Sequence, residues 1–208
     1  MYTIVLAMML AAGPETETRE FRVSVDGRPA GVYTMTLTKH ADGTIVQSGQ
    51  VDVTVQVLIK KFTYNYRGSE IWKDGKLLKL ESSTNEDGKR YNVRIDAEAT
   101  GLRVTANSKT ASVPATAWTT SHWHLPADRR IGDITRIDND TGRVLTGRIA
   151  RVGQEQVLAG GQMTLANHYR ITGASPAELW FDGAERLIRQ ESVEDGHRTL
   201  IELVRIAR

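Results

Sequence analysis

The chain has 208 residues, 40% apolar and 25% charged, with 27 basic and 25 acidic side chains for a formal charge of +2. That suits one β domain with its own core, and no Lys/Arg block provides the footprint of a nucleic-acid or anionic-lipid binder. Cysteine is absent, which excludes disulfides, thiolate metal sites, a thiol nucleophile and a lipid-modified cysteine.

Residues 1–12 are apolar almost throughout, with Tyr2, Ile4, Val5, Leu6, Met8, Met9 and Leu10, and Gly13-Pro14 and a polar run from Glu15 to Glu20 follow. Residues 1–13 read as a short signal peptide cut near Ala11, Ala12 or Gly13, which sends the protein to the periplasm or outside the cell. The alternative is the buried first strand or helix of a cytoplasmic protein. A bilayer needs about 20 apolar residues, so no transmembrane span is expected.

From residue 14 onward, alternation of period two replaces any helical period. Phe21, Val23 and Val25 alternate with Arg22, Ser24 and Asp26, and Asp26-Gly27 turns the chain into a strand over Val32–Leu37. Asp42-Gly43 turns again into Ile45–Ile59, where Val51, Val53, Val55 and Val57 share a face opposite Asp52, Thr54 and Gln56. Tyr64 and Tyr66 continue the pattern. Ser69–Trp72, the Asp74-Gly75 turn, Leu77–Ser82, the Asp87-Gly88 turn and Tyr91–Asp96 come next. Ser112–Ser121 is irregular, and Leu125–Gly132 is the one place for a short helix. Ile134–Ile137, Arg143–Val152, Gln156–Leu158, Met163–Thr172, Ala177–Phe181, Arg186–Ser192 and Thr199–Ile206 close the list of strands. Turns at this spacing predict a sandwich or barrel, with a single β domain over residues 14–208.

Two stretches resemble each other. Glu70-Ile71-Trp72-Lys73-Asp74-Gly75 matches Glu178-Leu179-Trp180-Phe181-Asp182-Gly183, and Leu77-Leu78-Lys79-Leu80-Glu81-Ser82 matches Leu187-Ile188-Arg189-Gln190-Glu191-Ser192. Asp87-Gly88-Lys89-Arg90 then matches Asp195-Gly196-His197-Arg198. The expectation is an all-β, antiparallel, curved or barrel-like sheet with repeated meanders at about 64–96 and 169–206, in which two copies bury their apolar faces together.

Leu58-Ile59, Tyr64-x-Tyr66, Glu70-x-Trp72-x-Asp74-Gly75-x-Leu77, Thr84-Asn85-x-Asp87-Gly88-Lys89-Arg90, Trp123, Asp140-x-Gly142, Tyr169-Arg170 and Leu179-Trp180 together resemble a family of exported bacterial proteins of unknown function. The resemblance covers most of residues 21–208 and implies a curved, barrel-like or spiral sheet in the cell envelope. Some larger relatives of that shape carry lipids or maintain envelope integrity, an analogy of fold alone. The family usually has an aromatic before its mid-chain Trp, whereas here Ser121-His122 precedes Trp123-His124. It brings no catalytic residues with it.

Two kinds of site follow. The aromatics Tyr64, Tyr66, Trp118, Trp123 and Tyr169 are candidates to line a cavity for a lipid or other apolar ligand in an incompletely closed sheet. His122 and His124 would project from one face if their segment were extended, a spacing that suits zinc with a third ligand such as His168, Asp128 or Glu178. Glu70, Glu81, Glu178 and Glu191 recur at matching repeat positions and would suit glycoside hydrolysis if paired. Nucleophile elbow, phosphate loop and dinucleotide fingerprint are absent, and no cofactor is expected. The sequence therefore reads as an exported envelope protein that binds a hydrophobic or amphipathic ligand or has a structural role. The alternative is a metal-dependent or carboxylate-based hydrolase using His122 and His124.

Overall fold

A computed structural model describes residues 13–57, 60–125, 131–194 and 196–208, with the backbone alone at Val57 and Lys60. Its strands in chain order are β1 (Glu15–Val25), β2 (Arg28–Lys39), β3 (Ile45–Val57), β4 (Lys60–Lys73), β5 (Lys76–Glu86), β6 (Lys89–Glu98), β7 (Gly101–Ala106) and β8 (Lys109–Val113). There follow β9 (Trp118–Thr119), β10 (Gly132–Ile137), β11 (Val144–Ala159), β12 (Gln162–Gly173), β13 (Ala177–Phe181), β14 (Leu187–Glu194) and β15 (His197–Ala207). The described residues contain no helix. The short helix expected near 125–132 falls mostly on residues outside those described.

All fifteen strands form one sheet in the order β8-β7-β6-β5-β4-β3-β2-β1-β15-β14-β13-β12-β11-β10-β9. It is a continuous meander whose first and last strands pair with each other, β1 against β15. Pairing is antiparallel except between β9 and β10. The edges are β8 and β9, and only residues 114–117 join them. A linker of that length spans at most about 17 Å, so the sheet must curl until its edges approach. The fold is open but barrel-like.

Local chemistry explains the turns. Asp26-Gly27, Asp74-Gly75 and Asp87-Gly88 have positive φ at both residues, from 48° to 92°, as a two-residue turn matched to the strand twist requires. Asp42-Gly43 differs. Only Gly43 has positive φ, and the loop closes instead through His40 N to Thr44 O and Gly43 N to His40 O. Asp42 caps it by accepting the Thr44 amide at 3.0 Å.

The pleat sends Phe21, Val23, Tyr33, Met35, Leu37, Val53, Leu80, Ile95, Val104, Ile149, Ile171 and Leu179 into one continuous core. Two inward glycines make room for aromatic rings there. A Cβ at Gly68 would lie 2.0 Å from Tyr66 Oη, and one at Gly49 would lie 3.3 Å from both the Tyr33 and Tyr66 rings. Two sequence expectations change. The polar run after Pro14 is the first half of β1, with Arg19 buried. Arg143–Val152 and Gln156–Leu158 are one strand, β11, interrupted by a bulge between Arg151 and Gly153.

The matched tryptophans lie on opposite faces. Glu70 and Trp72 point inward from β4 and are buried against the segment that follows β9. Trp180 pairs across strands with His168 and Arg189 and lies buried between them on the side of β13 opposite to Leu179 and Phe181. A slip of one residue against the pleat reverses every side chain. The two motifs thus share turn chemistry and strand order without sharing surroundings.

Candidate functional site

A polar network reaches into the interior of the sheet. The loop between β10 and β11, residues 138–143, reaches across to β4 and β5. Asn139 Nδ2 donates to Glu70 Oε1 at 2.7 Å, Ser82 Oγ donates to Asn139 O at 2.5 Å, and Tyr64 Oη donates to Asp140 Oδ1 at 2.8 Å. Gly142 sits where a Cβ would come within 2.6 Å of the Ala106 Cβ. The other Glu70 oxygen accepts from Trp72 Nε1 at 2.6 Å and Thr119 Oγ1 at 3.1 Å. Burial raises the Glu70 carboxyl against the lowering effect of these donors. Burial and the nearby Asp138 charge push Asp140 up to about 7.

The segment after β9 packs against this network. His122 takes φ 46°, so residues 122–124 are not an extended strand. His122 Nδ1 meets Gln190 Oε1 at 3.0 Å, and Arg136 Nη1 lies 3.4 Å from His122 Nε2. Burial first and the Arg136 charge second hold His122 down to about 3. His124 lies against Trp123 and Trp72, with ring centroids 3.6 and 5.1 Å away, and burial followed by the Arg19 charge lowers it to about 4. His122 thus has both ring nitrogens engaged, and among the described residues no group of three or more His, Asp or Glu side chains is placed to hold a metal ion.

The predicted cavity aromatics take separate places. Tyr66, Trp118, Trp123 and Tyr169 are buried, and Tyr64 is bound to the network. The predicted carboxylates do not converge either. Glu70 is inside and Glu178 outside, while Glu81 pairs with Lys79 and Arg94, and Glu191 with Arg198. On the outer face, His168 stacks on Trp180 at 4.2 Å and is held between Glu178 at 2.7 Å and Glu155 at 3.0 Å. Arg189 covers the same Trp180 ring at 4.9 Å. A depression of about 230 Å³ lies beside His168, lined also by residues 152–155.

The larger concavity, about 640 Å³, opens at one mouth of the sheet, lined by Glu15, Thr16, Glu17 and Arg19 of β1, Leu37 and Lys39 of β2, Ile45 of β3, Trp123 and Arg208. Only Trp123 among the predicted ligand residues lines it. Arg19 is almost fully buried in its wall, with Nε donating to Glu17 Oε1 at 2.8 Å and Nη1 to Trp123 O at 3.0 Å. Glu17 also meets Arg208 at 3.3 Å and Arg186 at 3.6 Å. Its arginine partners outweigh burial and hold Glu17 below the ordinary carboxylate range. The concavity joins an apolar strip of Leu37, Ile45 and Trp123 to a charged rim. Arg19 escaped sequence reading because it sits in a polar run. The signal was present in the alternation Glu17, Arg19, Phe21, which continues the inward face of β1.

The model of a domain of unknown function, DUF6134, matches residues 21–204. The fold is similar to the crystal structure of a beta-barrel-like protein of the domain of unknown function DUF1849 from Brucella abortus. The TM-score is 0.69 at 12% identity, over 92% of this chain and 96% of that one. No curated protein matches the chain.

Proposed function

We propose a function from the premise that the chain belongs to the DUF6134 family, whose domain has no known activity. It is a non-catalytic binding protein that receives one end of an amphipathic molecule at the barrel mouth. The observation that carries this reading is the division of space. The Glu70, Asn139 and Asp140 network occupies the space between β4, β5 and the loop that follows β10, whereas the mouth offers about 640 Å³ with apolar and charged walls side by side. That volume lies in the ordinary range of small-ligand sites. Leu37, Ile45 and Trp123 supply the apolar contact, and the charged rim receives the polar end. The apolar stretch 1–12 supports a periplasmic or secreted address for this binder.

The test is calorimetric titration of the full chain with dodecyl maltoside and with dodecanoate, both below their micellar concentrations. Binding of at least one with one-to-one stoichiometry, weakened in an Ile45→Ser variant, supports the reading. Absence of binding by both retires it.

A further inference from the structure

Resting on that binding reading, we propose that the polar end of the bound molecule is an oxyanion, a carboxylate or phosphate head received by the Arg19 guanidinium. Three observations converge on this residue. Arg19 is only 5% exposed, yet it lines the mouth. Its Nε and Nη1 are engaged by Glu17 and the Trp123 carbonyl, and no described residue accepts a hydrogen bond from Nη2. The nearest carboxylate is shared, since Glu17 contacts Arg19, Arg186 and Arg208 at once.

A guanidinium taken out of water is stabilised only as far as its donors are met and its charge balanced. Burial is the leading influence on Arg19, and it works against the charged form. A second oxyanion beside Nη2 would complete the donor set and add to the negative charge that Glu17 and, at longer range, Asp182 supply. The planar fork of arginine fits carboxylate and phosphate oxygens better than a hydroxyl or an ammonium group. Lys39 and Arg208, on the same rim, add attraction for such a head without fixing its orientation, against the opposing charge of Glu15. The apolar chain attached to the head then runs along Leu37, Ile45 and Trp123.

The experiment compares dodecanoate, dodecyl phosphate, dodecyl maltoside, dodecyltrimethylammonium and inorganic phosphate, each titrated into the full chain below micellar concentration. The two anionic chains are expected to bind about tenfold or more tightly than the maltoside, with the ammonium weakest. Arg19→Gln is expected to cost the anionic chains about tenfold and to leave the maltoside within about twofold. Should that variant fail to fold, Arg208→Gln on the exposed rim decides, with a loss of about threefold for the anionic chains alone.

Equal binding of anionic and uncharged chains overturns the oxyanion and leaves the amphiphile reading standing. So does full affinity for the anionic chains in a folded Arg19→Gln or, failing that, Arg208→Gln protein. Inorganic phosphate binding as tightly as dodecyl phosphate sustains the oxyanion and overturns the amphiphile. Failure of every probe overturns both.

Discussion

Glu70 shows how one buried side chain organises a core assembled from distant parts of the chain. Three of its contacts, Trp72 Nε1, Asn139 Nδ2 and Thr119 Oγ1, are all donors. Alanine there strands all three and opens a void, so Glu70→Ala is expected to cost about 3–4 kcal/mol in urea unfolding. Glu70→Gln fills the space but turns one acceptor oxygen into a donor that faces other donors, and a smaller loss of about 1–2 kcal/mol is expected. Equal losses for the two variants would mean that volume, not acceptor chemistry, explains the site. Neither role was legible in the sequence. Glu70 reads as one member of a recurring Glu-x-Trp motif, and its partners Thr119 and Asn139 lie tens of residues away, so no local pattern marks it as buried.

At the scale of elements, glycine separates turn strain from packing. Gly75 has φ +72° with nothing within 4 Å of a Cβ, so Gly75→Ala meets backbone strain alone, about 1 kcal/mol. Gly142 has the same φ but would drive its Cβ to 2.6 Å from Ala106, on β7. Gly142→Ala is expected to cost about 3 kcal/mol, because the loop between β10 and β11 must lift off the strands that it packs against. Urea midpoints measure both, and similar losses would show that the loop does not seat against β7 as described. Strands and tight turns were largely legible, because period-two alternation and Asp-Gly pairs act locally. Facing was harder to read. Trp72 and Trp180 share neighbours in sequence but not a face, since Trp72 pairs with Leu77 just past its bulge, whereas Phe181, not Trp180, holds the equivalent place opposite Leu187. The reading of His122 and His124 as a pair presumed an extended chain, and the positive φ at His122 removes that premise.

Across the whole molecule, buried titratable groups oppose one another and shape stability against pH. His122 and His124, held to about 3 and about 4 in the fold, bind protons more readily when unfolded. Their contribution is complete above about pH 6.5 and is lost as pH falls toward those values. Asp140, raised to about 7, works the other way, with its contribution complete below about pH 3.8 and lost as pH rises through 7. Glu70 acts in the same direction as Asp140. Surface carboxylates held low by their partners, such as Asp42 at about 2, weaken the fold only in stronger acid. Two histidines outweigh Asp140 between about pH 5 and 6.5, so melting temperature is expected to rise through that window and level off near 7, where the opposing contributions cancel. His124→Phe should flatten the rise, and Asp140→Asn should stabilise more at pH 8 than at pH 5. A profile that falls steadily from pH 5 to 6.5 would contradict the neutral, buried histidines.

The placement of the binding site at the mouth, outside the polar network of the interior, is tested most directly by the indole N–H resonances of the four tryptophans during titration with dodecanoate. Trp123, which lines the mouth, is predicted to shift with saturation, while Trp118 and Trp180 stay where they are. A saturable shift at Trp118 or Trp180 with Trp123 unmoved would contradict it.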